Sequence, residues 1–208
     1  MIMLSRHILS GIAFLSAMTA GFAPVFGAEE FKKHPHHYWQ GGYFGPAISL
    51  YRLKNNYNPS KPLGIQKINA KGKLIGLVAG YNFSDDGFLY SLEGDISSGA
   101  VFNDNLSYIA TLRGRAGKPF NYSLPYITGG LALAGLKKSA ASTPLKASNT
   151  QAGIVIGAGF EQVLANALSG RLEYTYGHFF SNGSSYQPNV SLKDLHMFRA
   201  SIVVHFND

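Results

Sequence analysis

Hydrophobic residues recur at every second position through the last part of the chain. In 168–179, Leu172, Tyr174 and Tyr176 fall on one face of a strand, and Arg171, Glu173 and Thr175 on the other. In 194–206, His196, Phe198, Ala200, Ile202, Val204 and Phe206 alternate with Met197, Arg199, Ser201, Val203 and His205. One face is continuously apolar and the opposite face is sparse and charged. Such a strand suits a wall with lipid outside and a polar lumen inside.

The same reading marks eight segments: 39–51, 73–83, 87–99, 106–117, 124–136, 151–162, 168–179 and 194–206. Each is close to the about 9–11 residues that a tilted strand needs to cross a bilayer. The connections alternate in length. Ser84–Asp86, Lys118–Ser123 and Val163–Ala167 are short; Arg52–Gly72, Lys137–Thr150 and Phe180–Lys193 are long, with Ala100–Asn105 intermediate. The prediction is an all-β fold, an eight-stranded antiparallel transmembrane up-and-down β-barrel, with short periplasmic turns and longer outer loops. Strands one and five leave their orientation open. In the first, Trp39, Tyr43, Ala47 and Tyr51 oppose Phe44, Ile48 and Leu50, and Pro46 predicts a bulge or kink. Eight strands enclose room for side chains only, and general porins use ~16–18, so a wide diffusion channel is excluded.

Residues 1–27 stand apart from this pattern. Arg6 and His7 precede an apolar stretch, Ile8 to Ala20, and small residues follow, with cleavage favoured after Gly27. This reads as a secretory signal peptide, too short to span a bilayer as a helix. Residues 28–38 then form a periplasmic linker and 39–208 the barrel. The chain has no cysteine, which removes disulfides, thiolate nucleophiles and thiolate metal sites. Its 24 glycines, 12 tyrosines and 14 phenylalanines fit packed strands with aromatic girdles.

Taking the more apolar face as the outside turns eight charges inward: Glu93, Asp95, Arg113, Arg115, Glu161, Arg171, Glu173 and Arg199. Four acids oppose four bases. A charge inside a narrow barrel needs a partner, so balanced pairs across neighbouring strands are expected to fill and close the lumen. The glycine-rich run Gly153-Ile154-Val155-Ile156-Gly157-Ala158-Gly159 keeps the alternation. It is therefore read as structural, opening room for a neighbouring arginine, and not as a phosphate loop.

Several segments occur together and in order: Tyr38-Trp39-Gln40-Gly41-Gly42-Tyr43-Phe44-Gly45, Gly80-Tyr81-Asn82-Phe83, Leu92-Glu93-Gly94-Asp95-Ile96, Thr111-Leu112-Arg113-Gly114-Arg115-Ala116-Gly117, Leu124-Pro125-Tyr126-Ile127-Thr128-Gly129-Gly130-Leu131-Ala132, Gly157-Ala158-Gly159-Phe160-Glu161 and Arg171-Leu172-Glu173-Tyr174. As a set they resemble the small outer-membrane β-barrel proteins of alphaproteobacteria, a branch related to the OmpA/OmpX-like barrels. The resemblance covers essentially all of 28–208. It implies location in the bacterial outer membrane and contact with the barrel-assembly machinery. It also implies a structural or surface role, with some porin-like or haemin-binding members, and brings no catalytic residues. Such barrels usually end on an aromatic residue, whereas Phe206 is followed here by Asn207 and Asp208.

Without residues 1–27 the chain keeps 17 bases against 11 acids, since Arg6 alone is removed. Arg52, Lys54, Lys61, Lys67, Lys71, Lys137, Lys138, Lys146 and Lys193 fall in the outer loops against Asp104, a balance of +8. Asp85, Asp86, Lys118 and Asp208 leave the periplasmic side at −2. A basic outer rim attracts anions: outer-membrane lipids and lipopolysaccharide, an anionic host ligand, or haem propionates. No aromatic ladder or fold motif supports nucleic-acid binding.

His34-Pro35-His36-His37 reads as a linker in which Pro35 breaks regular ligand spacing. It leaves His34, His36 and His37 as weak metal or haem candidates and no metal or cofactor as the expectation. Ser181, Asp194, His178 and His196 supply the ingredients of a hydrolase. Parity turns both imidazoles outward from separate positions, so no enzyme is expected. The expectation is a monomeric, structural, surface-exposed barrel with an ion-paired lumen. The alternative is a small-solute porin or haemin-binding uptake protein.

Overall fold

The structure, a computed structural model, describes residues 38–54, 71–102, 106–136, 150–165, 167–180 and 193–206. Eight strands form: β1 (Gly41–Lys54), β2 (Lys71–Asp85), β3 (Phe88–Ser98), β4 (Leu106–Gly117), β5 (Ser123–Leu136), β6 (Thr150–Ala165), β7 (Leu168–Phe179) and β8 (Asp194–Phe206). Each pairs antiparallel with the next, and β8 returns to β1, closing the barrel. Closure leaves no sheet edge, so every wall strand has a partner on both sides.

The end carrying the chain entry and Phe206 also carries the short turns. Between β2 and β3, Asp86 (φ 45°) and Gly87 (φ 75°) make the two-residue hairpin, with Asp85 paired to Phe88. Positive φ at both centres matches the right-handed strand twist, which is why Asp-Gly stands there. Between β4 and β5, Asn121 (φ 52°) takes the left-handed position beside a Phe120–Ser123 bridge. We call this the turn end and the opposite one the loop end.

Pro46 interrupts the ladder without bulging it. Pairing of β1 with β8 stops after Phe44↔Val204 and resumes in the same register at Ala47↔Ser201. Proline has no N–H to give β8, yet the residue count on the two strands stays equal. Strand one therefore keeps one parity throughout. Tyr43, Ala47, Ser49, Tyr51 and Leu53 point inward, and Phe44, Ile48 and Leu50 outward. In β5 the inward series is Leu124, Tyr126, Thr128, Ala132 and Ala134, against Ile127, Leu131 and Leu133 outside. Those two orientations, open in the sequence, are thereby fixed.

Several strands run past the bounds the pattern gave, and three basic residues assigned to the outer loops are corrected by this. Arg52 and Lys54 belong to β1 and Lys71 to β2, because Arg52↔Lys71 and Lys54↔Asp194 extend the ladders. Apolar patterning ends where the lipid ends, whereas backbone pairing continues beyond it. A long basic side chain can hold its stem along the wall and its head at the edge.

The exterior carries exposed Phe44, Ile48, Leu77, Phe83, Tyr90, Leu92, Leu112, Ile127, Leu131, Ile156, Phe198 and Ile202 around the circumference. A water-soluble domain would bury such a continuous band, and a membrane protein presents it to lipid.

Candidate functional site

The interior is layered, and the layers follow from which residues sit at each height on the inward face. Toward the loop end, Tyr51, Leu53, Leu74, Leu106, Ile109, Ala132, Ala134, Val155, Phe179, Leu195 and Met197 form one apolar cluster. Its one polar tip is used: the Leu106 N–H donates to the Tyr51 hydroxyl at 3.3 Å. The sequence reading, which expected a polar lumen throughout, missed this layer. Its signal was the run of large aliphatic residues on the same parity as the charges, seen in Leu195 and Met197 above Arg199.

Beneath the apolar layer lie the eight charges, all buried. Arg113 bridges Glu173 at 2.5 Å, Asp95 at 3.2 Å and also Glu93. Arg199 joins Asp95 at 2.6 Å and lies 3.9 Å from Glu173. Nearer the turn end, Glu161 receives Arg115 at 2.9 Å and Arg171 at 2.8 Å. Glu93 links the two groups, since Arg113, Arg115 and Arg171 all reach it. The eight residues thus form one connected network across β3, β4, β6, β7 and β8. Each acid lies against at least two arginines, which is what makes four buried carboxylates tolerable together.

Uncharged side chains add further hydrogen bonds to the carboxylates, while Arg113 Nε and Arg115 Nε are buried without a hydrogen-bond partner. The Tyr43 hydroxyl donates to Glu93 at 2.7 Å and accepts from Arg115 at 3.0 Å. Tyr126 donates to Glu173 at 3.0 Å, Ser169 to Glu161 at 2.6 Å, and Thr111 to Asp95. The Arg115 guanidinium stacks 3.9 Å over the Tyr126 ring and that of Arg171 4.8 Å over Tyr43, adding cation–π attraction. Room for these rings comes from glycines. A Cβ at Gly80 would strike Tyr43, one at Gly159 would strike Tyr126, and one at Gly153 would strike Phe179. Gly153 and Gly159 of β6 therefore seat aromatic rings and Gly157 lets the Tyr174 carbonyl of β7 come close, correcting the expectation that these glycines make room for arginine. Tyrosine is the reason: its ring needs the space, and its hydroxyl then reaches the carboxylates.

His205 belongs to this interior and was absent from the predicted set. Its Nε2 lies 3.0 Å from both Glu161 and Ser169. The alternation had already placed it on the inward face, with Ser201 and Val203. At the same end Tyr38 and Trp39 are buried, with Trp39 Nε1 donating to the Asn121 carbonyl at 3.5 Å and its ring 6.1 Å from His205.

Outside the barrel, near the loop end of β7 and β8, His178 Nδ1 lies 3.1 Å from Asp194. The Tyr176 hydroxyl donates to the same carboxylate at 2.8 Å. His196 Nδ1 lies 2.7 Å from the Tyr174 hydroxyl. The two imidazoles have different partners, and Ser181 lies outside the described residues. So do His34, His36 and His37, and the loop lysines Lys61, Lys67, Lys137, Lys138 and Lys146. Among the described residues, no three side chains of metal-ligating type converge.

Comparison with known proteins agrees with the architecture. The family model described as "Outer membrane protein beta-barrel domain" matches residues 12–206. The 25 kDa outer-membrane immunogenic protein of Brucella abortus biovar 1 is 32% identical over 151 residues, covering 70% of this chain and 68% of that one. A 22 kDa outer membrane protein of Rhizobium leguminosarum bv. viciae is 31% identical over 161 residues, covering 74% and 71% respectively. Among solved structures, Neisserial surface protein A aligns with a TM-score of 0.52 at 16% identity, over 80% of this chain and 97% of that one. The N-terminal barrel of Pseudomonas aeruginosa OprF aligns with a TM-score of 0.52 at 14% identity, over 81% and 99%. A closed eight-stranded wall with an apolar exterior, matched along nearly its whole length, makes this chain a member of the outer membrane protein β-barrel family, located in the outer membrane.

Proposed function

We propose that the protein is a structural, surface-exposed barrel whose interior is closed and whose basic outer side contacts anionic components of the envelope or of a host. The observation carrying this reading is the filled lumen. Opening a path for solute would require parting a connected set of buried ion pairs and, above it, an apolar layer with Leu74, Leu106 and Ile109 fully buried. Removing single partners of such a set costs several kcal/mol each, far more than a resting pore can tolerate. The naming of the Brucella relatives as immunogenic supports exposure of the loop end at the cell surface. Lys61, Lys67, Lys137, Lys138 and Lys146 would supply positive charge there. No catalysis is proposed, because His178 and His196 are engaged by different partners.

The test is conductance of the purified chain in a planar bilayer. The expected trace stays at the leak of an empty membrane. Stable unitary steps that grow when Arg113→Ala opens the network would overturn the reading in favour of a small-solute pore.

A further inference from the structure

The outward-facing charges are as unevenly placed as the inward ones are balanced. At the loop end, the register aligns Lys71 on β2, Arg52 on β1, His196 on β8 and Tyr176 on β7 in one row across four adjacent strands. The next row toward the turn end is Lys73, Leu50, Phe198 and Tyr174. Neighbouring strands lie about 4.8 Å apart, so three basic side chains share a patch on β1 and β2. Arg52, Lys71 and Lys73 are exposed on the wall, next to exposed Leu50, Ile48 and Phe198. Around the other side at this height stand Ser98, Tyr108 and Thr150, with Tyr108 and Thr150 hydroxyls bonded to each other at 2.8 Å. That arc carries no charge among the described residues. Among the described residues, Asp194 is the acid at this end of the neighbouring wall; it stands one row further out and accepts from Tyr176 and His178.

The height of the patch identifies what it meets. Ten residues separate Phe83 from Lys73 on β2 and Phe206 from His196 on β8. At about 3.3 Å per residue and a tilt of about 40°, that is about 25 Å, the height of the apolar band of such barrels. The basic row therefore stands at the upper edge of the hydrocarbon, facing sideways into the leaflet. A soluble anion could use the charges alone. An anionic lipid uses both parts, its phosphate on Lys71, Lys73 and Arg52 and its acyl chains along Leu50, Ile48 and Phe198.

We propose that the β1–β2–β8 wall is a binding site for a phosphorylated lipid headgroup of the outer leaflet, of the phosphosaccharide type. The site is on the barrel wall and is separate from the loops. It deepens the reading of a structural envelope protein by naming one anionic partner and the face that holds it.

Detergent-refolded protein, titrated with bisphosphorylated lipid A, dephosphorylated lipid A or inorganic phosphate and read by native mass spectrometry, tests this. Wild type should retain the phosphorylated lipid more tightly than the dephosphorylated one, by about tenfold or more given three cations. Arg52→Gln, Lys71→Gln and Lys73→Gln combined should abolish that preference, and Lys118→Gln at a short turn should keep it. Heat-dependent gel mobility verifies that each variant is folded. Equal retention of both lipids by wild type, or an unchanged preference in the triple variant, would overturn the site. Inorganic phosphate displacing the lipid at equal concentration would overturn the lipid as its occupant. A conducting barrel that kept the lipid preference would instead defeat the closed-lumen reading and leave this one standing.

Discussion

Two halves of the same interior solve the same packing problem differently. Toward the loop end the lumen is filled as a soluble core is filled, with Leu74, Leu106, Ile109 and Phe179 buried in one apolar cluster. Toward the turn end it is filled by four carboxylates and four guanidinium groups, with tyrosines between them. The apolar half tolerates many arrangements of similar volume. The ionic half tolerates few, because each carboxylate must meet particular donors. The apolar layer therefore supplies burial and the charged layer specifies which strand stands beside which. Strand register follows from the second: Glu93↔Arg113 and Glu173↔Arg199 are direct cross-strand partners, and Glu161↔Arg171 closes the set.

The largest effect is expected from Glu93→Ala, which takes one carboxylate from each of three arginines and leaves four buried guanidinium groups facing three acids. Losing one member of a buried pair costs about 3–5 kcal/mol, because the remaining charge is left uncompensated. Leu74→Ala, in the apolar layer, should cost about 2–5 kcal/mol through the cavity left behind. Urea unfolding in lipid vesicles, followed by the gel mobility of the folded form, measures both. If Glu93→Ala were the milder change, the network would be loosely held and the contrast between the layers would fail.

A double-mutant cycle sharpens the contrast. Glu161 and Arg171 face each other across β6 and β7, with Nε donating at 3.0 Å. Glu161→Met and Arg171→Met should each be strongly destabilising. Together they should cost less than their sum by about 0.5–3 kcal/mol, since neither charge is then left alone. Additive losses would mean that Glu93 and Arg115, and not the direct pair, hold those two residues in place. Two leucines of the apolar layer that do not touch, treated in the same way, should add within about 0.5 kcal/mol.

The fold was legible because strand parity has a period of two and the lipid enforces it on one face. Residues such as Arg113 and Glu173 could be assigned inside from their neighbours alone, and the structure puts them there in contact. What parity cannot encode is height. Leu195, Met197 and Arg199 share one face of β8, and nothing in the alternation says that the first two belong to a separate apolar layer. Partners from distant strands are equally hidden: Arg199 reaches Asp95 across the lumen, 104 residues earlier in sequence. Strand ends were obscured for another reason. Arg52 and Lys71 look like loop residues because they are charged, yet they continue the ladder above the lipid. The outward basic patch was dispersed among loop charges by that same misplacement, and Lys73, within its strand, was not counted at all.

Substitutions on the two faces separate the wall from the lumen and the middle of the wall from its rim, where the effect is smallest. Leu112 lies mid-strand on the outward face of β4, and Leu112→Arg should cost about 2–4 kcal/mol, as for a cation placed near the bilayer midplane. Val204 also faces outward, two residues from the end of β8, and Val204→Arg should cost only about 0–1 kcal/mol because its guanidinium can reach the headgroups. Ser201→Arg points into the filled interior beside Arg171 and Ala47 and should disturb packing there, yet leave the lipid-facing surface unchanged. Partitioning of the three variants into vesicles, measured alongside their unfolding, distinguishes these cases. Leu112→Arg should lose insertion, Val204→Arg should keep it, and Ser201→Arg should insert but unfold at lower urea. Equal insertion defects in Leu112→Arg and Ser201→Arg would mean that the two faces do not differ in what they meet, and both the lipid-facing band and the charged interior would have to be assigned anew.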